Sequence, residues 1–419
     1  MKNRLTSTAF CIILSLLMLS ALSGCVTAPI GKGEDLMSGV KADVTYSDVD
    51  ISGRNAVSVT DFAIRLFQKS AEKGKNTLIS PLSVLSALAM TANGAGGNTL
   101  SQMEDVFGLS VLELNSYLHA YINALPSGDK YRLSLANSIW LRDDERFTVK
   151  QDFLQANANW YGAGISKAPF DDTTLKGINS WVSDNTDGMI ENILDKIPEE
   201  AVMYLVNALA FDAEWQKIYN ENQVRDGVFN KEDGTKQDVE LMYSEENQYL
   251  KDDNAAGFIK YYADQKYAFV ALLPNEGVSI LDYIASLTGE KLHEMLSNAK
   301  AVEVNAAIPK FETEYEVGMN EILKEMGMTD AFDSKASDLS GIGFSTRGNL
   351  YISRVLHKTF IAVDERGTKA GAATVVEVSD ESASMEVQKV YLDRPFVYML
   401  IDCEANLPFF IGTAMDIEN

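Results

Sequence analysis

The chain is poor in the residues on which most enzyme chemistry relies. Only three histidines occur in 419 residues, His119, His293 and His357, so a histidine base has few candidates and a multi-histidine metal site fewer. His293-Glu294 opens like the helical zinc-protease motif, but Ser297 stands where the second histidine would fall, which favours a surface histidine. There is no G-x-S-x-G nucleophile turn and no phosphate-binding loop. The glycines of Asn93-Gly94-Ala95-Gly96-Gly97-Asn98 come after a helical run and read as the turn that closes it. No metal or cofactor is implied. Of three cysteines, Cys11 and Cys25 lie at the N-terminal leader and only Cys403 remains in the body, so no intramolecular disulfide is possible there. Positive charge is scarce as well. The chain carries 36 basic against 60 acidic residues, a net charge of −24, with no basic stripe, which argues against nucleic acid and heparin-like polyanions as partners.

What is present begins with a leader. Lys2 and Arg4 precede an apolar run from Ala9 to Leu22 that is short for a membrane span. It ends in Leu22-Ser23-Gly24-Cys25, which resembles the bacterial lipobox, in which cleavage before the cysteine leaves its thiol to carry lipid. A plain secretory cleavage site is the alternative, and both readings export the mature chain. Residues 1–24 are then a signal peptide, and the polar stretch from Cys25 to about residue 54 reads as a lipidated tether at the cell surface. No linker, repeat or low-complexity tract divides the chain beyond the tether, so 55–419 is expected to be one large domain.

Helical and strand periods alternate irregularly, which points to a mixed α+β fold. Leu114, Tyr117, Leu118, Tyr121, Ile122 and Leu125 mark one helical face. In Ser80-Pro81-Leu82, serine caps a first turn and proline occupies a position whose missing N–H is harmless. Val202 to Phe211 is apolar on both faces, as for a central strand covered on each side, with Asn207 its one polar interruption. Phe258–Tyr262 with Tyr267–Leu273, and Phe396–Ile401 with Leu407–Ile411, read as hairpins.

The segment from Glu365 to Val387 combines a loop's composition with a strand's pattern. From Thr368, one parity gives Thr368, Ala370, Ala372, Thr374, Val376 and Val378; the other gives Lys369, Gly371, Ala373, Val375, Glu377 and Ser379. The first set is uncharged and suits a buried face. An ordinary flexible loop of small residues is the alternative.

The motifs together resemble the serpin family from about Val57 to Met415. Asn76-Thr77-Leu78-Ile79-Ser80-Pro81-Leu82-Ser83, Ile178-Asn179-Ser180-Trp181-Val182, Val206-Asn207-Ala208 with Phe211 and Trp215, Ile308-Pro309-Lys310-Phe311, Asp338-Leu339-Ser340-Gly341 and Pro395-Phe396 carry the resemblance. It implies three β-sheets surrounded by helices and an exposed C-terminal reactive loop, about 365–392, that inserts into the main sheet after cleavage. It also implies a monomeric suicide-substrate inhibitor of serine proteases, forming a covalent 1:1 complex, rather than an enzyme; a non-inhibitory binding protein is the alternative.

By position the resemblance assigns Ser80, Ser83, Asn207 and His357 to a polar shutter beneath the central strands, and Trp215 and Lys310 to the point where insertion starts. These could equally be an ordinary buried network, a core aromatic and a surface ion pair. Glu365, Gly367, Thr368, Ala370, Ala372 and Ala373 form the hinge, with Thr368 expected at the sheet's edge before insertion. The family's spacing from Glu365 places the reactive bond at Glu381-Ser382. Counting back from Pro395 favours Ser384 instead, and Val378, Ala383 and Met385 offer nearby bonds. The resemblance thus implies a glutamate-preferring or elastase-like protease as the expected target. Asp212 and Lys369 depart from the family, which favours a lysine and a glutamate there.

Overall fold

The computed structural model describes residues 33–368 and 387–417, apart from 146 and 347. The described chain is mixed α+β. Its main sheet has seven strands, β1 (Glu34–Asp35), β2 (Tyr131–Arg142), β3 (Gly164–Ala168), β4 (Met203–Glu214), β5 (Phe311–Gly318), β6 (Arg354–Val363) and β7 (Gly367–Thr368), in the spatial order β1-β3-β2-β4-β7-β6-β5. A second sheet of six strands contains both expected hairpins, Ala255–Tyr261 with Tyr267–Pro274 and Phe396–Asp402 with Pro408–Ala414. A third runs Gln388–Tyr391, Val304–Pro309, Lys236–Glu246, Val224–Asn230. Besides these three, Gly343–Ser345 pairs with Phe147–Val149 as a small fourth sheet.

The helices are α1 (Arg54–Ser70), α2 (Pro81–Ala92), α3 (Gly97–Phe107), α4 (Val111–Ala124), α5 (Gln151–Trp160) and α6 (Asp172–Asn185), with shorter ones at 280–286, 289–297 and 320–325. As the sequence predicts, the Ser80 side chain accepts from the Ser83 amide at the start of α2, with Pro81 in its first turn. The glycine run behaves differently from the helix-closing turn expected. Gly94 does come just after α2, but Gly96 is the N-cap of α3 and Gly97 its first residue. The reason is packing against the segment 338–342. A Cβ on Gly94 would lie 2.3 Å from the Ile342 side chain, the Gly96 amide donates to the Asp338 carbonyl, and the Gly341 amide donates to the Gly94 carbonyl.

The main sheet is covered on both faces. Met203, Leu205, Leu209, Phe211 and Ala213 of β4 face the large core shared with the six-stranded sheet. Tyr204, Val206 and Ala208 face a smaller cluster with Ile178 and Val182 of α6. This explains why β4 is apolar at both parities.

The polar N-terminal stretch is docked from Glu34 onward, where a free tether was expected. β1 pairs with the edge strand β3, and the Asp43 amide donates to Asn159 Oδ1 at 3.0 Å. The Tyr46 ring stacks on His119 at 3.7 Å, and its hydroxyl donates to the Asn159 carbonyl. Leu36, Met37, Val40, Val49 and Ile51 pack against the core. An unpaired sheet edge and a few scattered apolar residues suffice to attach a segment whose mean composition is polar. Cys25 and the leader lie outside the described residues.

Candidate functional site

The most unusual feature of the main sheet is a seam between β4 and β6. At its lower end the two strands pair in parallel, Tyr204 with Arg354, Leu205 with Val355 and Val206 with Leu356. At its upper end β7 lies between them, antiparallel to both: Thr368 pairs with Ala213 on one side and Val363 on the other, and Gly367 pairs with Glu214. The strands are thus zipped below and wedged apart above by two residues of the hinge.

Four residues singled out in the sequence meet midway along this seam, two of them through backbone amides. The Ser80 amide donates to His357 Nε2 at 3.0 Å, and His357 Nδ1 lies 3.4 Å from Asn207 Oδ1. Nε2 is an acceptor, so the proton sits on Nδ1 and the ring is neutral. Complete burial reinforces this, lowering the His357 pKa to about 3. Ser83 completes the group through the Ser80 cap. Two buried polar atoms beside the seam lack a hydrogen-bond partner among the described residues, Asn207 Nδ2 and the Tyr204 hydroxyl. Such orphans are uncommon in a settled interior.

The upper end is held by backbone contacts to the hinge. Trp215 is 2% exposed; its amide donates to the Arg366 carbonyl at 2.8 Å, and its Nε1 donates to the Asp364 carbonyl at 2.8 Å. The Tyr219 amide donates to the Glu365 carbonyl. Lys310 lies 3.0 Å from Glu365 and 3.3 Å from Glu240. Burial works against the charge on each partner, but it is outweighed: a backbone hydrogen bond and the Lys310 ammonium lower the Glu365 pKa, and the Glu365 and Glu240 carboxylates raise that of Lys310. Gly367 is required by space, because a Cβ there would sit 1.9 Å from the Ala213 carbonyl oxygen.

Thr368 is where the structure departs most from the sequence reading. It does not lie at a solvated sheet edge; it is 2% exposed inside the seam, and its Oγ1 is 2.5 Å from the Tyr262 hydroxyl. A large charged side chain would therefore be resisted already in the intact protein. The direction it faces does agree with the expected parity, toward the large core. Ala370, Ala372 and Ala373, and the candidate bonds at Val378, Glu381, Ser382, Ala383, Ser384 and Met385, lie outside the described residues.

Sequence reasoning missed Tyr262 and a buried ion pair beneath it. Lys260 Nζ is 2.8 Å from Glu246 and lies over the rings of Tyr219 and Trp215 at 4.4 and 5.3 Å. Burial pulls the Lys260 pKa down, but Tyr219 and Glu246 outweigh it and hold the ammonium charged. The available signal was a lysine inside the apolar run Phe258-Ile259-Lys260-Tyr261-Tyr262.

A buried polar cluster around His357, a glycine pressed against the Ala213 carbonyl and a two-residue strand between β4 and β6 thus lie along one line of the main sheet. Residues 57–417 match the family described as Serpin (serine protease inhibitor), and the chain belongs to that family. Among relatives, human Serpin B9 is 31% identical over 370 residues, covering 84% of this chain and 96% of the relative. Human leukocyte elastase inhibitor is 29% identical over 374 residues, covering 84% and 97%. The crystal structure of tengpin, a thermophilic serpin, in its native state has a TM-score of 0.88 at 47% identity, covering 92% of this chain and all of tengpin. The latent-state structure of tengpin gives 0.79 at the same identity, so the chain described here is nearer to the native form.

Proposed function

We propose that the protein inhibits serine proteases as a suicide substrate, and that its reactive loop fills the β4–β6 seam after cleavage. The observation that carries this reading is the partly opened seam itself, with two hinge residues already in register between strands that are still zipped below. Continuing that register one residue at a time brings Thr374 between Asn207 and His357, Val376 between Leu205 and Val355, and Glu377 between Tyr204 and Arg354. Both walls of the seam give the same alignment. The inward set would then face the large core, and Thr374 and Glu377 would arrive beside the two orphaned polar atoms of Asn207 and Tyr204.

The family departures also find a rationale in this register. Lys369 would stand beside Asp212, so the charges that differ from the family's usual lysine and glutamate form an exchanged pair. Each inward valine contributes about 1.5–3 kcal/mol on burial and each new ladder bond about 0.5–1.5 kcal/mol, so insertion releases on the order of ten kcal/mol.

In the reaction, the protease serine oxygen attacks the carbonyl carbon of Glu381. The bond to the Ser382 nitrogen breaks, that nitrogen leaves as an amine, and Glu381 becomes an ester of the enzyme. Insertion then drags the ester away before water cleaves it. The protein is consumed in the process and turns over no substrate. Glutamate before the bond suits a glutamate-preferring protease, and the nearby small and apolar residues suit elastase-like enzymes. We further assign export and lipid attachment at Cys25, which would hold the inhibitor at a cell surface as a monomer, on the strength of the Leu22-Ser23-Gly24-Cys25 motif.

A panel of serine proteases tests this reading. A boiling-resistant 1:1 complex on a denaturing gel, with a released peptide whose mass places the cut within Val378 to Met385, supports it. Clean cleavage by every protease without complex refutes inhibition and leaves a binding protein of the same fold.

A further inference from the structure

Tyr262 comes directly after the strand Ala255–Tyr261 on the six-stranded sheet, and its whole side chain is buried. Its ring stacks on Trp215 with centroids 4.4 Å apart and planes 10° apart, and meets Phe211 edge-on at 5.1 Å. Trp215 is itself fixed by its bonds to Asp364 and Arg366 and lies under the Lys260 ammonium. The Tyr262 backbone is pinned too, its amide donating to the Tyr267 carbonyl at 3.0 Å. A rigid aromatic stack thus presents one hydroxyl at one place, and the group that meets it is Thr368 Oγ1 at 2.5 Å. Burial holds the Tyr262 pKa well above its ordinary value, so the hydroxyl stays protonated. The two partners are 106 residues apart in sequence, Thr368 in the main sheet and Tyr262 just beyond the end of a strand of the six-stranded sheet.

We propose that Tyr262 is a positioning residue for the inhibitory reaction: its hydroxyl holds Thr368 inside the seam, so that loop insertion starts from a step already taken. Without the bond the hinge leaves the seam part of the time. The first inward residue must then re-enter after the loop is cut, and this delay gives water longer to hydrolyse the acyl-enzyme. The ring alone would not do this, because stacking on Trp215 is retained when the hydroxyl is removed. The proposal rests on the inhibitory reading for its consequence, but not for the latch itself.

The test uses the full chain with Tyr262→Phe, Thr368→Val, their combination, and Thr368→Ser, which keeps a hydroxyl. The first readout is hydrogen exchange of the peptide containing Gly367 and Thr368, and the second is the ratio of trapped complex to cleaved product with a protease that the wild type traps. A hydrogen bond of ordinary net strength corresponds to about a two- to tenfold change in exchange. Tyr262→Phe and Thr368→Val should each accelerate exchange at the hinge by that factor and lower the trapped fraction. The combination should be no worse than the stronger single change, and Thr368→Ser should behave as wild type. Unchanged hinge exchange, or single effects that multiply in the combination, overturns the latch. Faster exchange with an unchanged trapped fraction overturns its role in trapping. If the wild type traps no protease, the inhibitory reading fails, while the exchange measurement still decides the latch.

Discussion

Reversing one charge on the loop tests how far insertion proceeds. In the proposed register Glu377 is the residue that arrives between Tyr204 and Arg354, near the bottom of the seam. Directly opposed side chains on a ladder are about 5 Å apart, where two unit charges interact by about 3 kcal/mol at an effective dielectric of about 20. Arg354 is half-buried, so solvent screening reduces this to about 1–2 kcal/mol. Glu377→Lys replaces that attraction with a repulsion of similar size, and the cleaved form should lose about 2–4 kcal/mol. In the intact protein Arg354 and Tyr204 are paired with each other, so its unfolding midpoint should not change. Denaturant unfolding of the intact and singly cleaved forms measures both quantities. Combining Glu377→Lys with Arg354→Glu should restore most of the loss. Equal destabilisation of intact and cleaved protein, or no rescue by the swapped pair, refutes the register.

Burial keeps His357 neutral, with a pKa of about 3 against an ordinary 6.5. The unfolded chain therefore binds the extra proton first as pH falls. The associated stability is complete above about pH 6.5 and is lost progressively toward pH 3, at up to about 1.4 kcal/mol per pH unit. His357→Gln should flatten that part of the profile, as checked by denaturant midpoints from pH 4 to 7. Lys260→Met leaves the nearly buried Glu246 carboxylate without its cation and should destabilise the fold by about 3–5 kcal/mol, whereas Lys260→Met with Glu246→Leu should recover most of it. Cys25→Ala should shift the protein from the membrane to the soluble fraction; unchanged partition of the variant contradicts lipid attachment.

Elements whose cause is local were legible in the sequence. The doubly apolar run of β4 is what a covered central strand requires, and Ser80-Pro81 is a local helix-start signal. The cluster of Ser80, Asn207 and His357 needed the family resemblance, because its members approach across separations of 277 and 150 residues. Alternation from Thr368 agrees with the face that Thr368 itself takes, and the rest of the pattern lies outside the described residues. The alternation could not say how many residues had already entered the seam, because a period of two is the same for a strand about to form and one begun. Tyr262 was invisible for a related reason: its partner lies on another sheet, and an aromatic residue in an apolar hairpin looks like ordinary core. The N-terminal segment was misread because average polarity hides a few apolar contacts, and an edge strand accepts backbone partners of almost any composition.

Whether the cleaved loop becomes a strand of the main sheet is decided by hydrogen exchange of the singly cleaved protein, following the amides of residues 369–378. Protection comparable to that of β4 is expected, extending without a break from Thr368 through Glu377. Exchange of these amides at the rate of a free chain after cleavage would contradict insertion, because the seam would then have stayed closed below Thr368.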